Sequence, residues 1–311
     1  MKKQALTIGC VAAILLIFSV SSVFSWGSAT HAYIGNKIGA KGGLKDFDEM
    51  YGSLAPDVFN YTFATYYPYL YEQTHYTTFN LKGVADEKLQ KALAYGYFSH
   101  NGLWGADLTA HHSGITYGQG QGYVIAKATE LTLQVGPLLE SQGITLTAPV
   151  LLEVCHNFVE ASVDILVTRL NPNIGQKLVQ AGLFRTRAFP AMLIDVYAQG
   201  LADNAPMTLQ EASQVIAAAE GSFRRITILY GLALTEPEDV AVGLLAENFA
   251  TFAGAYLTAM GVTLPPDADL TPLAAYGIQQ GIVLCANDFA AEVNATFKFV
   301  KKNLAEHKKD K

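Results

Sequence analysis

Apolar residues recur at three- and four-residue spacing over most of this chain, across residues 84–112, 121–142, 147–170, 185–199, 207–233, 236–261 and 268–303. That period is the helical one. Breakers separate the segments: Gly114 to Gly122, Asn171-Pro172, Ala205-Pro206 and Pro265-Pro266. Gly231 and Gly243 fall inside periodic stretches and weaken them locally. No alternating strand pattern, internal repeat or low-complexity linker stands out. The pattern predicts an all-α protein, with residues 26–311 as a single multi-helix domain. Half of the residues are hydrophobic, enough for a sizeable core.

Residues 41–83 break this rule. They carry few helical signals and many tyrosines: Tyr51, Tyr61, Tyr66, Tyr67, Tyr69, Tyr71 and Tyr76. A long loop inside a compact domain is usually functional, and the aromatic content argues against disorder. The expectation is a loop whose rings lie over the helices as a lid, line a cleft, or do both. At the other end, Lys301, Lys302, Lys308, Lys309 and Lys311 form a charge run. It reads as a solvated helix end, with lysines at the negative pole of the dipole.

Residues 1–25 read as a secretory signal. Lys2 and Lys3 form a basic start, an apolar run follows from about Ala5 to Val20, and Val23 and Ser25 suit the small-residue cleavage positions. Cleavage there predicts a secreted or periplasmic protein that begins at Trp26. The alternative is an uncleaved anchor, since the run is nearly long enough to span a membrane. Cys155 and Cys285 remain after cleavage, and an oxidising compartment permits either a disulfide or two buried thiols. The 21 basic residues are outnumbered by 27 acidic ones, and losing Lys2 and Lys3 makes the balance more negative. Such a chain is no general nucleic-acid binder. Bound divalent ions would reverse the local field, so an anionic substrate stays open.

Six of the seven histidines lie between residues 31 and 156. At about 100° per residue, His100, Asp107 and His111 fall within about 40° of one another on a continuous helix. His112 points away from that face. Two imidazoles flanking a carboxylate on an apolar helix are costly to bury without a cation. His156 and Glu160, four apart, share a face beside Leu152, Val159 and Val163. Glu153 and Asp164 lie near that face as acceptors for the imidazole. Asp57 follows Ala55-Pro56, where an aspartate is commonly a turn former, and His75 alone is unremarkable. Trp26 stands five residues before His31. A freed α-amino group with its own carbonyl can chelate one metal ion, and a nearby imidazole can extend the shell.

Taken in order, Trp26, His31, Asp57, His75, His100, Asp107, His111, His156 and Glu160 form a set that resembles the zinc-dependent phospholipase C family. The set is also similar to the single-strand-specific nucleases of the same trinuclear zinc, all-helical fold. Trp26-Gly27-x-x-x-His31 matches the nuclease N-terminus in spacing. Thr30-His31-x-x-Ile34-Gly35 resembles the phospholipase side, including the N-terminal domain of glycosylphosphatidylinositol-specific phospholipase D. Segments like Ser99-His100 and Ala106-Asp107-x-x-x-His111 occur there too. The likeness covers residues 26 to about 160. His100 and Asp107 depart from it, being seven apart where the family has four. Asp107 to His111 is shorter than in the bacterial phospholipases. The family's choline-selecting acidic residue is replaced by Ala29, so a choline preference is not implied.

The resemblance implies three zinc ions in one cleft. Asp57, His75, His100 and Asp107 would hold one. The Trp26 amino nitrogen and carbonyl, His31 and Asp107 would hold a second, with Asp107 bridging. His111, His156 and Glu160 would hold a third. The implied activity is hydrolysis of a phosphodiester by a metal-activated water, with Asp57 orienting or deprotonating it. A phospholipid at a membrane surface is the implied substrate, ahead of single-stranded nucleic acid. The tyrosine-rich segment suits either one, by cation–π contact with a headgroup or by base stacking. A third reading is a metal-binding or lipid-binding protein without catalysis, although structural zinc sites are usually closed and thiolate-rich. No feature predicts a protein partner.

Overall fold

A computed structural model describes residues 26–39, 43–61, 67–76, 80–117 and 120–307. The signal-like stretch 1–25 and the last lysines lie outside the described residues, and so do Tyr66 and the side chains of Tyr61 and Tyr67. Within them the chain is all-helical in one domain, 78% helix and without strands. No helix there is long and apolar enough to cross a membrane.

The helices in order are α1 (Ser28–Ile38), α2 (Leu44–Leu54), a 3-10 turn (Ala55–Tyr61), α3 (Tyr67–His75), α4 (Asn80–Gly83), α5 (Lys88–His100) and α6 (Ala106–His111). Then come α7 (Tyr123–Ser141), α8 (Ala148–Leu170), α9 (Ile174–Phe184), α10 (Phe189–Asn204), α11 (Leu209–Ala233), α12 (Glu238–Ala259), α13 (Leu270–Cys285) and α14 (Phe289–His307). Helix α8 runs through the middle and packs against α7, α13 and α1. Trp26, Tyr51, Tyr97, Tyr123 and Tyr197 are fully buried in a core that joins both halves of the chain.

Several sequence expectations are corrected. Residues 41–83 form no long loop: α2, the 3-10 turn, α3 and α4 occupy most of them. Phe47, Met50, Tyr51 and Leu54 carry the helical spacing in α2, and three of the four are buried. The stretch 84–112 is not one helix. Asn101 ends α5, because its Oδ1 accepts the backbone N–H groups of Leu103 (3.0 Å) and Trp104 (2.9 Å). That turn competes with helix continuation. The stretch 268–303 also divides, at Ala286 to Asp288, where the Asp288 carboxylate takes Lys127, Tyr117 and Tyr123. Helix α9 starts directly after Asn171-Pro172-Asn173, a run that reads from sequence as a breaker only. Cys155 and Cys285 are buried free thiols.

Helices α2 and α5 cross at backbone contact. A Cβ on Gly96 would sit 2.0 Å from the Glu49 carbonyl oxygen, and one on Gly52 would sit 2.1 Å from that of Leu93. Two glycines therefore let the helix backbones touch. This contact brings the end of α2 under His100.

Candidate metal centre

Six elements each deliver one or two side chains to a common interior point. His31 comes from α1, Asp57 from the 3-10 turn, and His75 and His100 from the last residues of α3 and α5. Asp107 and His111 come from α6, and His156 and Glu160 from the buried face of α8. All are buried except His111, which is half-buried. Three groups have ligand atoms within 4.8 Å of one another: His31 with Asp57 and His100; His75 with His100 and Asp107; and His111 with His156 and Glu160. These groups could hold metal ions.

Hydrogen bonds at Nδ1 set the tautomers in the first half of the cluster. His100 Nδ1 lies 2.9 Å from the Ser53 carbonyl, and His75 Nδ1 lies 2.8 Å from the Thr74 hydroxyl and 3.2 Å from the Tyr71 carbonyl. A carbonyl only accepts, and the Thr74 hydroxyl spends its own hydrogen on the Tyr71 carbonyl at 3.2 Å, so each Nδ1 carries the hydrogen and each Nε2 presents a lone pair. Those two Nε2 atoms face each other at 3.2 Å. Asp57 Oδ1 lies 3.6 Å from one and 3.7 Å from the other. Burial keeps both rings neutral: it pulls His75 down to about 4 and lowers His100 against the opposing pull of Asp57. Burial also pushes the Asp57 carboxyl up to about 7, although the nearby His100 works the other way. Two imidazole lone pairs and a carboxylate oxygen thus converge on one space. Burial and the neighbouring His100 also hold His31 well below the ordinary imidazole range.

The second half of the cluster has the opposite electrostatics. His111 Nδ1 hydrogen-bonds Asp107 Oδ1 at 2.8 Å, which turns His111 Nε2 toward His156 Nε2, also at 2.8 Å. Glu160 Oε1 sits 2.8 Å from His156 Nε2, in contact but off hydrogen-bonding geometry, and 3.7 Å from His111 Nε2. Burial lowers both histidines, but the adjacent carboxylates outweigh it. Asp107 lifts His111 to about 9, and Glu160 with Glu153 lifts His156 to about 10. Burial would raise Asp107, yet the His111 charge and hydrogen bond hold its carboxyl well below the usual range. Asp107 Oδ2 is buried without a hydrogen-bond partner. In a native interior such an atom needs a reason.

Eight of the nine sequence-derived residues are therefore brought together, though not as a continuous helix would bring them. His100 ends one helix and Asp107 begins another. His112 is exposed and faces the Tyr76 hydroxyl at 3.2 Å, away from the cluster. Trp26 is placed by its side chain. The fully buried indole donates to Thr109 Oγ1 at 2.9 Å, between Asp107 and His111 on α6, and stacks on Tyr123 at 5.3 Å. The amine role of Trp26 depends on the junction with residues 1–25, outside the described residues.

Asp164 is a correction. It does not serve an imidazole. Its oxygens accept Ala29 N–H (2.8 Å), Thr30 N–H (2.8 Å) and the Thr30 hydroxyl (2.7 Å), capping α1 from a distant helix. Gly27 makes room, since a Cβ there would lie 2.5 Å from that carboxylate. Glu153 Oε2 stands 3.7 Å from His156 Nδ1, a charge neighbour beyond hydrogen-bond reach. Sequence reasoning missed the backbone acceptors at Ser53 and Tyr71, which leave no side-chain signature. The tyrosines divide: Tyr51 is buried against Glu220, whereas Tyr71 stacks on His75 at 4.0 Å and borders the cluster. Compared with protein-family models, curated proteins and solved structures, the chain matches none.

Proposed function

We propose that this protein is a zinc-dependent phosphodiester hydrolase of the phospholipase C type, acting on phospholipids. One observation carries the reading: buried imidazole nitrogens and carboxylate oxygens from five elements crowd around shared points, none more than 3.7 Å from the next. The edges among Asp57 Oδ1, His75 Nε2 and His100 Nε2 are 3.6, 3.7 and 3.2 Å. A point equidistant from all three lies about 2.0 Å from each, the length of a zinc–nitrogen or zinc–oxygen bond. The edges among His111 Nε2, His156 Nε2 and Glu160 Oε1 are 2.8, 2.8 and 3.7 Å. Their common radius is about 1.9 Å, close to the same bond length. Nitrogen and carboxylate donors without a thiolate suit zinc. Carbonyls and a carboxylate behind the imidazoles are the outer shell such ligands use.

In this reading Asp57, His75 and His100 would hold one ion with Asp107. His31 and the Trp26 terminus would hold a second with Asp107, and His111, His156 and Glu160 would hold a third. Bound zinc supplies positive charge for the phosphoryl group and acidifies water to near neutrality. The chain's own part is orientation. Asp57 Oδ1 faces the imidazoles, leaving Oδ2 to position a water and take its proton. Burial of all the ligands but His111 limits competing water.

The test is turnover by the zinc-loaded protein on mixed phospholipid vesicles and, in parallel, on single-stranded DNA. Diacylglycerol release is expected. Mononucleotide release instead would make it a nuclease. Stoichiometric zinc with no turnover on any phosphodiester would leave a metal-binding protein. Asp57→Asn is expected to lower hydrolysis at least about a hundredfold, and unchanged hydrolysis would remove the role given to Asp57.

A further inference from the structure

The group of His111, His156 and Glu160 adjoins a space that the chemistry above does not use. A cavity of about 280 Å³ opens beside it, with Glu160 and Ala161 of α8 and Gly27 and Ser28 at the start of α1 along one side. The remaining walls are mainly aliphatic and aromatic: Ile226 and Leu229 from α11, and Leu245, Phe249 and Phe252 from α12. Phe249 and Phe252, with Asn157, also bound a smaller cavity of about 70 Å³. That compartment continues among Val135, Leu139, Phe158 and Ala274 of α7, α8 and α13. The two share a wall, so an apolar path leads from Glu160 toward the core between α8 and α12.

The opening has its own character. Arg225 lines the larger cavity, is exposed, and makes no ion pair among the described residues. Beyond it, Leu229 and Leu232 on α11 and Val240 and Leu244 on α12 are exposed apolar side chains. Their three- and four-residue spacing gives each helix an apolar stripe near the tight α11–α12 turn. Cavities walled this way hold water poorly. Asn157, Tyr230 and Asn248 add polar groups to the larger cavity, but a nucleic-acid strand needs a row of cations and Arg225 is the one cation in this lining. One cation at the rim, a metal group at one side and apolar walls between them fit a molecule with an anionic head and a hydrocarbon tail.

We propose that this cavity seats one aliphatic chain of an amphiphilic phosphate ester, whose phosphate lies at the His111–His156–Glu160 end with Arg225 beside it. The proposal rests on the functional reading above and adds where the apolar arm goes. It places substrate selection in α11 and α12, in the half of the chain that carries none of the ligands. The exposed stripe faces the surface from which such a molecule is drawn.

The experiment compares dodecyl phosphate with butyl phosphate, each below its micelle concentration, titrated calorimetrically into the full chain, zinc-loaded and after chelation. Dodecyl phosphate is expected to bind on the order of tenfold or more tightly, the weight of only about two buried methylenes. The preference is expected to survive chelation, because the walls are not ligands. Ala161→Phe, which narrows the cavity beside Glu160, is expected to bring the ratio of affinities close to one. Leu229→Asp, at an exposed wall position that tolerates charge, does the same without touching the core and decides the matter if Ala161→Phe does not fold. Equal affinities in the unaltered chain, or an undiminished ratio in folded Leu229→Asp, overturn the proposal. A chain-length preference in a protein that hydrolyses no phosphodiester would sink the enzymatic reading and leave the chain site standing.

Discussion

Gly96→Ala separates helix propensity from helix contact. In an exposed helix interior the change is favourable by up to about 1 kcal/mol. At Gly96 the new Cβ would stand 2.0 Å from the Glu49 carbonyl oxygen and 2.9 Å from Ser53 N. The backbones of α2 and α5 must part by at least about 1 Å to accept it, in an interior packed like a crystal. Overpacking of this kind costs about 1–3 kcal/mol or more. The same movement carries the Ser53 carbonyl away from His100 Nδ1, now at 2.9 Å, and forfeits about 1 kcal/mol for a buried hydrogen bond. Contact outweighs propensity, and the net loss is about 1–3 kcal/mol. Gly221 on α11 is the control: a Cβ there meets nothing within 4 Å, so Gly221→Ala should gain about 0.5–1 kcal/mol. Thermal melts followed by circular dichroism measure both, at a few degrees per kcal/mol for a chain this size. Gly96→Ala should also weaken metal retention, because His100 loses the partner that fixes its tautomer. Two variants that shift the melting temperature upward together would refute the reasoning.

Asp107→Asn keeps shape but removes the charge that holds His111 Nδ1 and the buried Oδ2. Zinc affinity is expected to fall by at least about a hundredfold, read by competition with a chelating dye, while the far-ultraviolet spectrum stays helical; unchanged affinity would contradict the placement. Acid should empty the cluster in two steps. His111 and His156, lifted to about 9 and about 10 without metal, carry protons that metal must displace, and that competition grows as pH falls. In the other group Asp57, pushed up to about 7, takes a proton only below that, and His75, pulled down to about 4, later still. Bound zinc followed by equilibrium dialysis against pH should therefore leave the His111–His156–Glu160 group first. His156→Ala should abolish that earlier step, and its persistence would reverse the assignment.

The period of the apolar residues was enough to predict an all-helical chain, because helices such as α8 and α11 bury a face along their whole length. It was blind where local chemistry overrides the period. Asn101 reads as one more residue in a helical run, yet its side chain satisfies the next turn's N–H groups and ends α5. His100 and Asp107 still meet, because the chain reverses at 101–105 and α6 brings Asp107 back; the expected shared helical face was the wrong route to the right neighbourhood. In α2 the spacing of Phe47, Met50, Tyr51 and Leu54 is visible in the sequence, but the surrounding tyrosines and glycines suggest a loop. Asp164 shows a different limit. Its position four residues after Glu160 marks it as part of the same buried stripe, but only the placement of α1 shows that it caps Ala29 and Thr30. The Ser53 and Tyr71 oxygens that orient His100 and, with the Thr74 hydroxyl, His75 belong to the main chain, and no residue type announces them.

The claim beneath all of this is that imidazole nitrogens and carboxylate oxygens crowd together inside the protein because cations belong between them. Zinc counted by emission spectrometry, on chain loaded with excess metal and then dialysed free of it, addresses that claim most directly. Three ions per chain are expected, lost together with His100 and His156 when both are replaced by alanine. A folded chain that keeps no divalent ion would contradict the account.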